Sequence, residues 1–262
     1  MKRRALGLKS SGAAGTSRDK DGKRAATGPA HSDGPRWPSF LRGKANRLVM
    51  WVVKLGGSLA RNGQLCSWIQ AVTGPHHYAL TVVPGGGPFA DRVRDMQLRL
   101  QFDDPTAHKM AVLAMEQYGL MLAGLCSELV PVSSKAALLR VSRNGNIPIW
   151  LPSRMVFGRD DIPGEWEVTS DSLAAWLARH LKATCLVLVK SVDPTSGDSG
   201  YNEHLSVPLL TLQEEGIIDR TFGTFARGGG LDVRCVGPSS LTGFAKALER
   251  GVAPGTKVLL TG

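Results

Sequence analysis

Three short segments carry residues whose types and spacing suit the handling of phosphate. In Lys54-Leu-Gly-Gly-Ser58, the glycines Gly56 and Gly57 let backbone N–H groups approach an anion, Ser58 adds a hydroxyl, and Lys54 places a positive charge at the entrance. In Pro84-Gly-Gly-Gly87, the run Gly85, Gly86 and Gly87 forms a second glycine-lined turn that leads through Pro88 and Phe89 into a helical pattern. In Trp166-Glu-Val-Thr-Ser-Asp-Ser-Leu-Ala-Ala175, Thr169 or Ser170 sits at a helix N-cap position and Asp171 falls in the first turn, where a carboxylate is favoured. That same carboxylate can hold lysines in position or help to orient a metal ion. Each segment taken alone is also explained as a tight turn or a cap. Neither glycine run has the G-x-x-x-x-G-K-[ST] spacing of a P-loop or the G-x-G-x-x-G spacing of a dinucleotide fold. A fourth stretch, CLVLVKSVD, delivers Lys190, Ser191 and Asp193 into a loop rich in Gly, Pro, Asp and Ser, which suits the nucleotide side of a site or an ordinary surface connection. His108 and Lys109 lie within a helical pattern and are expected to be solvated, with no direct role.

The elements that must position these residues alternate in type. LVMWVVKL and YALTVVPGGG read as buried strands, each ending in its glycine turn. Residues 88–100 and 105–125 each open on proline and carry apolar residues three and four apart, which predicts two helices. NIPIWLP reads as a strand and residues 170–181 as a capped helix. TCLVLVKSV, VRCVG and TKVLLTG follow as strands, with a helix over residues 241–250. Alternation of this kind predicts an α/β fold, a three-layer αβα sandwich around a central, mostly parallel sheet. Two glycine-lined strand ends in such a sheet face one crevice at its carboxyl edge, so that one could hold the transferred phosphoryl group and the other its acceptor.

Charge divides the chain in two. Residues 1–47 carry twelve Lys/Arg against three Asp, whereas the remaining 215 residues carry twenty Lys/Arg against nineteen Asp/Glu. The basic segment is rich in Gly, Ser, Ala, Lys and Arg, and is expected to be a disordered N-terminal extension preceding one domain over residues 48–262. Met50 stands directly before the first strand, which suggests that translation begins at or near it. Because the folded part is nearly neutral, the overall charge of +10 does not point to a nucleic-acid partner. No run of eighteen or more apolar residues occurs, so no membrane association is expected and the protein is assigned to the cytoplasm. Cys66, Cys126, Cys185 and Cys235 are widely spaced and form no C-x-x-C, which predicts reduced, mostly buried thiols and no structural zinc site.

Taken together, VVKLGGSL, VVPGGGPFADRVR and WEVTSDSLA resemble the amino-acid kinase superfamily. Its members begin K-x-G-G-S, carry G-G-G after the second strand, and place an Asp in a T-x-D-x-x-A stretch. The resemblance covers residues 52–262. Within it, HKMA, LPSRM and IDRTFGTFARGGGLDVRCVG are similar to the methanofuran-biosynthesis branch, the [5-(aminomethyl)furan-3-yl]methyl phosphate kinases. The resemblance implies transfer of the ATP γ-phosphoryl group to a small-molecule phosphomonoester, giving a diphosphate and ADP. Mg²⁺ would be carried by ATP rather than by a protein-only metal site. By the same resemblance Lys54 would stabilise the phosphoryl group in flight and Asp171 would organise the site. Gly56, Gly57, Ser58, Lys190, Ser191 and Asp193 would bind nucleotide phosphates, and Gly85, Gly86, Gly87, Thr169 and Ser170 would face the acceptor. Arg227 falls where relatives tend to have a lysine and would supply a second cation. Lys190-Ser-Val-Asp-Pro194 departs from the T-D-V-D-G-I common in the family's nucleotide loop. A homo-oligomer is also implied. Two other functions fit the residues: a kinase of the same fold acting on UMP, isopentenyl phosphate or a carboxylate, and a non-catalytic nucleotide-binding storage or regulatory protein.

Overall fold

The computed structural model describes residues 49–76, 78–194 and 205–260. The extension expected over residues 1–47, and most of the loop expected after Asp193, lie outside them.

Strand β1 (Met50–Leu55) is buried at all six positions, so the parity of its side chains, and not a polar alternation, distinguishes its faces. Met50 and Val52 enter one hydrophobic core, whereas Trp51, Val53 and Leu55 enter another on the opposite side. Helix α1 (Leu65–Thr73) closes the second side with Leu65, Trp68, Ile69 and Val72, an amphipathic stripe at helical spacing. Strand β2 (Ala79–Pro84) pairs in parallel with β1, and α2 (Gly87–Leu100) and α3 (Asp104–Leu125) follow it. Asp103 caps α3, its Oδ1 accepting from the Thr106 N–H at 2.7 Å.

The chain then builds β3 (Leu129–Val132), α4 (Lys135–Arg143), β4 (Ile147–Trp150) and the short α5 (Ser153–Val156). Helix α6 (Ser170–Leu181) comes next and is buried along most of its length, because it is packed between the sheet and a later helix. The remaining elements are β5 (Cys185–Val189), β6 (Ser206–Pro208), α7 (Leu209–Glu214), α8 (Phe222–Ala226), β7 (Asp232–Val236), α9 (Leu241–Arg250) and β8 (Thr256–Leu259). Helix α8 is the one that covers α6.

The eight described strands form one sheet in the order β3-β4-β2-β1-β5-β7-β8-β6. Every pairing is parallel except β7 with β8. Helices α4, α6, α7 and α8 contribute to one core, and α1 and α9 to the other, which gives the three layers expected. On the α9 side Phe244 meets Trp68 edge-on, with ring centroids 5.2 Å apart. Both rings are fully buried, and truncating Trp68 to alanine would cost about 3–5 kcal/mol.

Several elements without a sequence expectation have weak local signals, although α1 and α4, also without one, are amphipathic. Strand β3 contains Pro131, which is tolerated because β3 lies at the sheet edge. Helices α5, α7 and α8 span four to six residues, too few to display a period. The cysteines are free, but only Cys185 and Cys235 are buried. Cys66 is exposed, contrary to the expectation of mostly buried thiols, because it follows Leu65 on α1 and so points about 100° away from the buried stripe.

Candidate active site

Strand parity brings the two lysines together. Lys54 has the same parity on β1 as Met50 and Val52, and so faces the core that contains α6. On the neighbouring strand Lys54 is in register with Leu188, and Lys190 follows two residues later on the same face. The Lys190 N–H donates to the Val236 carbonyl at 2.9 Å, which carries the ladder one step beyond β5. The N-terminus of α6 lies beneath both lysines. Thr169 is its cap: the Thr169 Oγ1 accepts from the Asp171 N–H at 3.2 Å, which places the Asp171 carboxylate in the first turn.

The result is a buried triad. Lys54 Nζ is 2.9 Å from Asp171 Oδ1, and Lys190 Nζ donates to Asp171 Oδ2. All three residues are buried. Burial pushes the Asp171 carboxyl up, but the Lys190 and Lys54 ammonium groups outweigh it and hold the pKa at about 2. Burial also drives the Lys54 pKa below its ordinary value; Asp171 opposes that shift and Lys190 adds to it. Two cations and one anion give the triad itself a net positive charge, which Asp219, lining the same cleft, partly offsets.

The two glycine turns form one continuous wall. A Cβ on Gly57 would fall 2.2 Å from the Gly87 N, and one on Gly85 would fall 2.4 Å from the Gly57 N. No side chain fits between the turns, so their contact demands glycine independently of any ligand. Gly87 has φ +53°, and a Cβ there would also meet the Tyr118 ring at 2.7 Å. The Gly85 N–H donates to the Leu55 carbonyl at 2.9 Å and the Gly56 N–H to the Val189 carbonyl at 3.0 Å, which anchors the wall to the ends of β1 and β5. Ser58 Oγ donates to Ser191 Oγ at 2.9 Å across the same strand ends.

Wall and triad border an open cleft. Gly57, Ser58, Gly86 and Gly87 line it on one side, and Thr169, Ser170, Asp171, Lys54 and Lys190 on another. The N-termini of α2 and α6 both end at this cleft, adding their partial positive charges to the two lysines. Arg61 and Arg94 stand at its rim, both paired with Asp91.

Several expected residues take other positions. Arg227 is exposed, and its Nε donates to the Leu260 carbonyl at 3.2 Å; it does not line the cleft. The second cation is instead Lys190, delivered by strand register. Asp193 also faces elsewhere: its Oδ1 accepts from the Ser239 N–H at 3.1 Å and from Ser239 Oγ at 2.8 Å, tying the end of β5 to the segment after β7. The Thr169 hydroxyl is committed to the cap and to Asp219. His108 is buried, not solvated, because α3 turns position 108 inward together with Val112 and Met115.

Asp219 is the residue that sequence reasoning missed. Its Oδ2 accepts from Thr169 Oγ1 at 2.6 Å and from the Ser172 N–H at 3.1 Å, and its Oδ1 accepts from Ser172 Oγ at 2.6 Å. Those bonds fix the first turn of α6, and with it Asp171. The Asp219 position lies within the IDRTFG segment, but nothing in its spacing from Asp171 announces a contact.

This arrangement fits an anionic polyphosphate: two ammonium groups, two helix N-termini and a glycine backbone wall converge, with one buried carboxylate holding the cations. Among the described residues no group of three His, Cys, Asp or Glu is placed to hold a metal ion. No helix among the described residues is long and apolar enough to cross a membrane.

Comparison with known proteins agrees with this geometry. Residues 49–196 match the model of the amino acid kinase family. Over 145 residues the chain is 28% identical to the [5-(aminomethyl)furan-3-yl]methyl phosphate kinase of Methanocaldococcus jannaschii, spanning 55% of this chain and 67% of that protein. The uridylate kinase of Archaeoglobus fulgidus superposes with a TM-score of 0.57 at 17% identity, covering 80% of this chain and 99% of its own. The UMP kinase of Ureaplasma parvum superposes with a TM-score of 0.55 at 13% identity, covering 81% and 99%. These two structures share the fold.

Proposed function

Because the chain belongs to the amino acid kinase family, we propose that its cleft transfers the γ-phosphoryl group of ATP to the phosphate of a small-molecule phosphomonoester, with Lys54, Asp171 and Lys190 at the centre. The observation that carries this reading is the buried pair of lysines clamped by one carboxylate beside a glycine wall. The proposed acceptor is [5-(aminomethyl)furan-3-yl]methyl phosphate, on the strength of the Methanocaldococcus jannaschii relative that is named for it.

In the reaction an acceptor phosphate oxygen forms a bond to the γ-phosphorus while the bond from that phosphorus to the β–γ bridging oxygen breaks. ADP leaves with the electron pair. An acceptor phosphate is already ionised near neutral pH, so the site needs no general base. Catalysis is then positioning and charge compensation. Lys54 and Lys190 are held at the site by Asp171, so their charge requires no reorganisation as negative charge shifts between oxygens. The wall brings the backbone of Gly57, Gly86 and Gly87 and the α2 N-terminus to the phosphates, with no side chain in the way. Asp219 fixes the α6 N-terminus that carries Asp171. When bound, Mg²⁺ neutralises phosphate charge and aligns the transferred group.

The test is release of ADP from ATP with each of four acceptors: the furan phosphate, UMP, isopentenyl phosphate and acetylglutamate. Stimulation chiefly by the furan phosphate is the expected result. Stimulation by another acceptor would reassign the substrate, and tight ATP binding with no stimulation by any acceptor would favour a storage or regulatory protein.

A further inference from the structure

A small side pocket opens off the cleft between α2, α3 and the segment leading into α6. It shares Gly86, Ala90, Arg94, Thr169 and Ser170 with the cleft, and so lies on the β2 side of β1, across from the β5 end that carries Lys190 and Ser191. Its walls are mainly apolar: Val112 and Met115 from α3, Leu173 from α6, and the Trp166 ring. Trp166 is held in place, because its Nε1 donates to Gln97 Oε1 at 2.6 Å and the Arg94 guanidinium lies over its ring, 4.9 Å from the centroid. The pocket is thus shaped before anything enters it.

Arg94, Thr169 and Ser170 line the part shared with the cleft, and among the apolar walls one further polar side chain breaks the lining. His108 is only 5% exposed, its imidazole hydrogen-bonds the Val168 backbone, and its Nε2 has no partner. A buried nitrogen without a partner is costly and calls for an occupant that satisfies it. We propose that this pocket receives the organic end of the phosphoryl acceptor, a small flat group, and that His108 Nε2 accepts a hydrogen bond from an N–H or O–H donor on it. Burial lowers the imidazole pKa, with the Val168 bond opposing, and this keeps the ring neutral and Nε2 an acceptor near pH 7. A pure hydrocarbon group would fit the walls but leave Nε2 unpaired. His108 thereby selects between acceptors that share a phosphate, an inference that rests on the cleft being a phosphomonoester site.

Two variants, His108→Leu and His108→Gln, test it with the furan phosphate, whose aminomethyl group is a donor, and isopentenyl phosphate, which has none. Loss of the nitrogen in His108→Leu should raise the KM for the furan phosphate roughly tenfold or more and leave that for isopentenyl phosphate unchanged or lower. Partial recovery is expected in His108→Gln, whose carbonyl can accept. Equal effects on both acceptors, or none on the furan phosphate, would overturn the proposal. A separate arm follows the His108 imidazole nitrogen resonances as the phosphate-free furan alcohol is added. If they shift while no phosphomonoester is turned over, the pocket stands and the proposed reaction falls. If they do not shift, the pocket assignment falls whatever the kinetics. That arm also decides the matter should His108→Leu lose ATP binding through misfolding.

Discussion

A carboxylate between two cations occurs twice in one cleft. At its centre Asp171 joins Lys54 and Lys190, with side-chain exposures of 4%, 7% and 11%. At its rim Asp91 joins Arg61 and Arg94, with exposures of 38%, 65% and 51%. Identical charge types therefore have different physical consequences. Around the buried triad water cannot screen the charges, so removing one member leaves the others uncompensated. Around the rim water replaces any lost partner, so the arginines can exchange Asp91 for an incoming anion at little cost. The centre is built to stay fixed during chemistry and the rim to adjust during binding.

Neutralising the carboxylates contrasts the two most strongly. Asp171→Asn should lower turnover by roughly a hundredfold or more. It should also cost about 3–5 kcal/mol of stability, because two buried lysines lose their counter-charge. Asp91→Asn should leave the thermal midpoint unchanged; equal losses in the two variants would erase the distinction between centre and rim.

Removing the cations extends the contrast to kinetics. Lys54→Ala and Lys190→Ala should each reduce kcat by roughly a hundredfold. Arg61→Ala should raise the acceptor KM only a few-fold, by an amount that shrinks with added salt. A salt-insensitive loss of kcat in Arg61→Ala would move that residue into the centre.

Asp219 touches neither lysine, so its removal sharpens where the centre ends. Asp219→Ala should lower kcat by roughly tenfold through a loosened α6 first turn, with ATP affinity nearly retained, and Asp219→Asn should recover part of the loss. Acid pH has the smallest effect. Asp171 titrates at about 2 in the folded protein against an ordinary value of 3.8, so its contribution is complete above the ordinary value and is lost as pH falls through the interval down to about 2. Acid unfolding of the wild type should therefore be steeper over that interval than that of Asp171→Asn.

Much of the fold was legible because its strands are short apolar runs bounded by glycine turns, and because α6 carries a cap and a first-turn acid. Lys54 and Asp171 were legible for the same reason: each sits beside a local signal. Lys190 reads from the sequence as part of the nucleotide loop, since its place beside Lys54 depends on the register of β5 on β1, which no local pattern encodes. The resemblance puts the second cation at Arg227, yet α8 ends with that side chain turned to the Leu260 carbonyl. Asp219 and Asp171 meet through packing between segments far apart in sequence. His108 lies on a helix that is apolar on most sides, so periodicity could not reveal which face α3 buries.

The most direct measurement is a single-turnover assay of γ-phosphoryl transfer from ATP to the furan phosphate by the wild type and by Lys190→Ala, with ATP affinity measured in parallel. Diphosphate formation by the wild type and a roughly hundredfold slower rate in Lys190→Ala, at near-normal ATP affinity, is the predicted result. Transfer by Lys190→Ala at close to the wild-type rate would contradict a catalytic centre built on Lys54, Asp171 and Lys190.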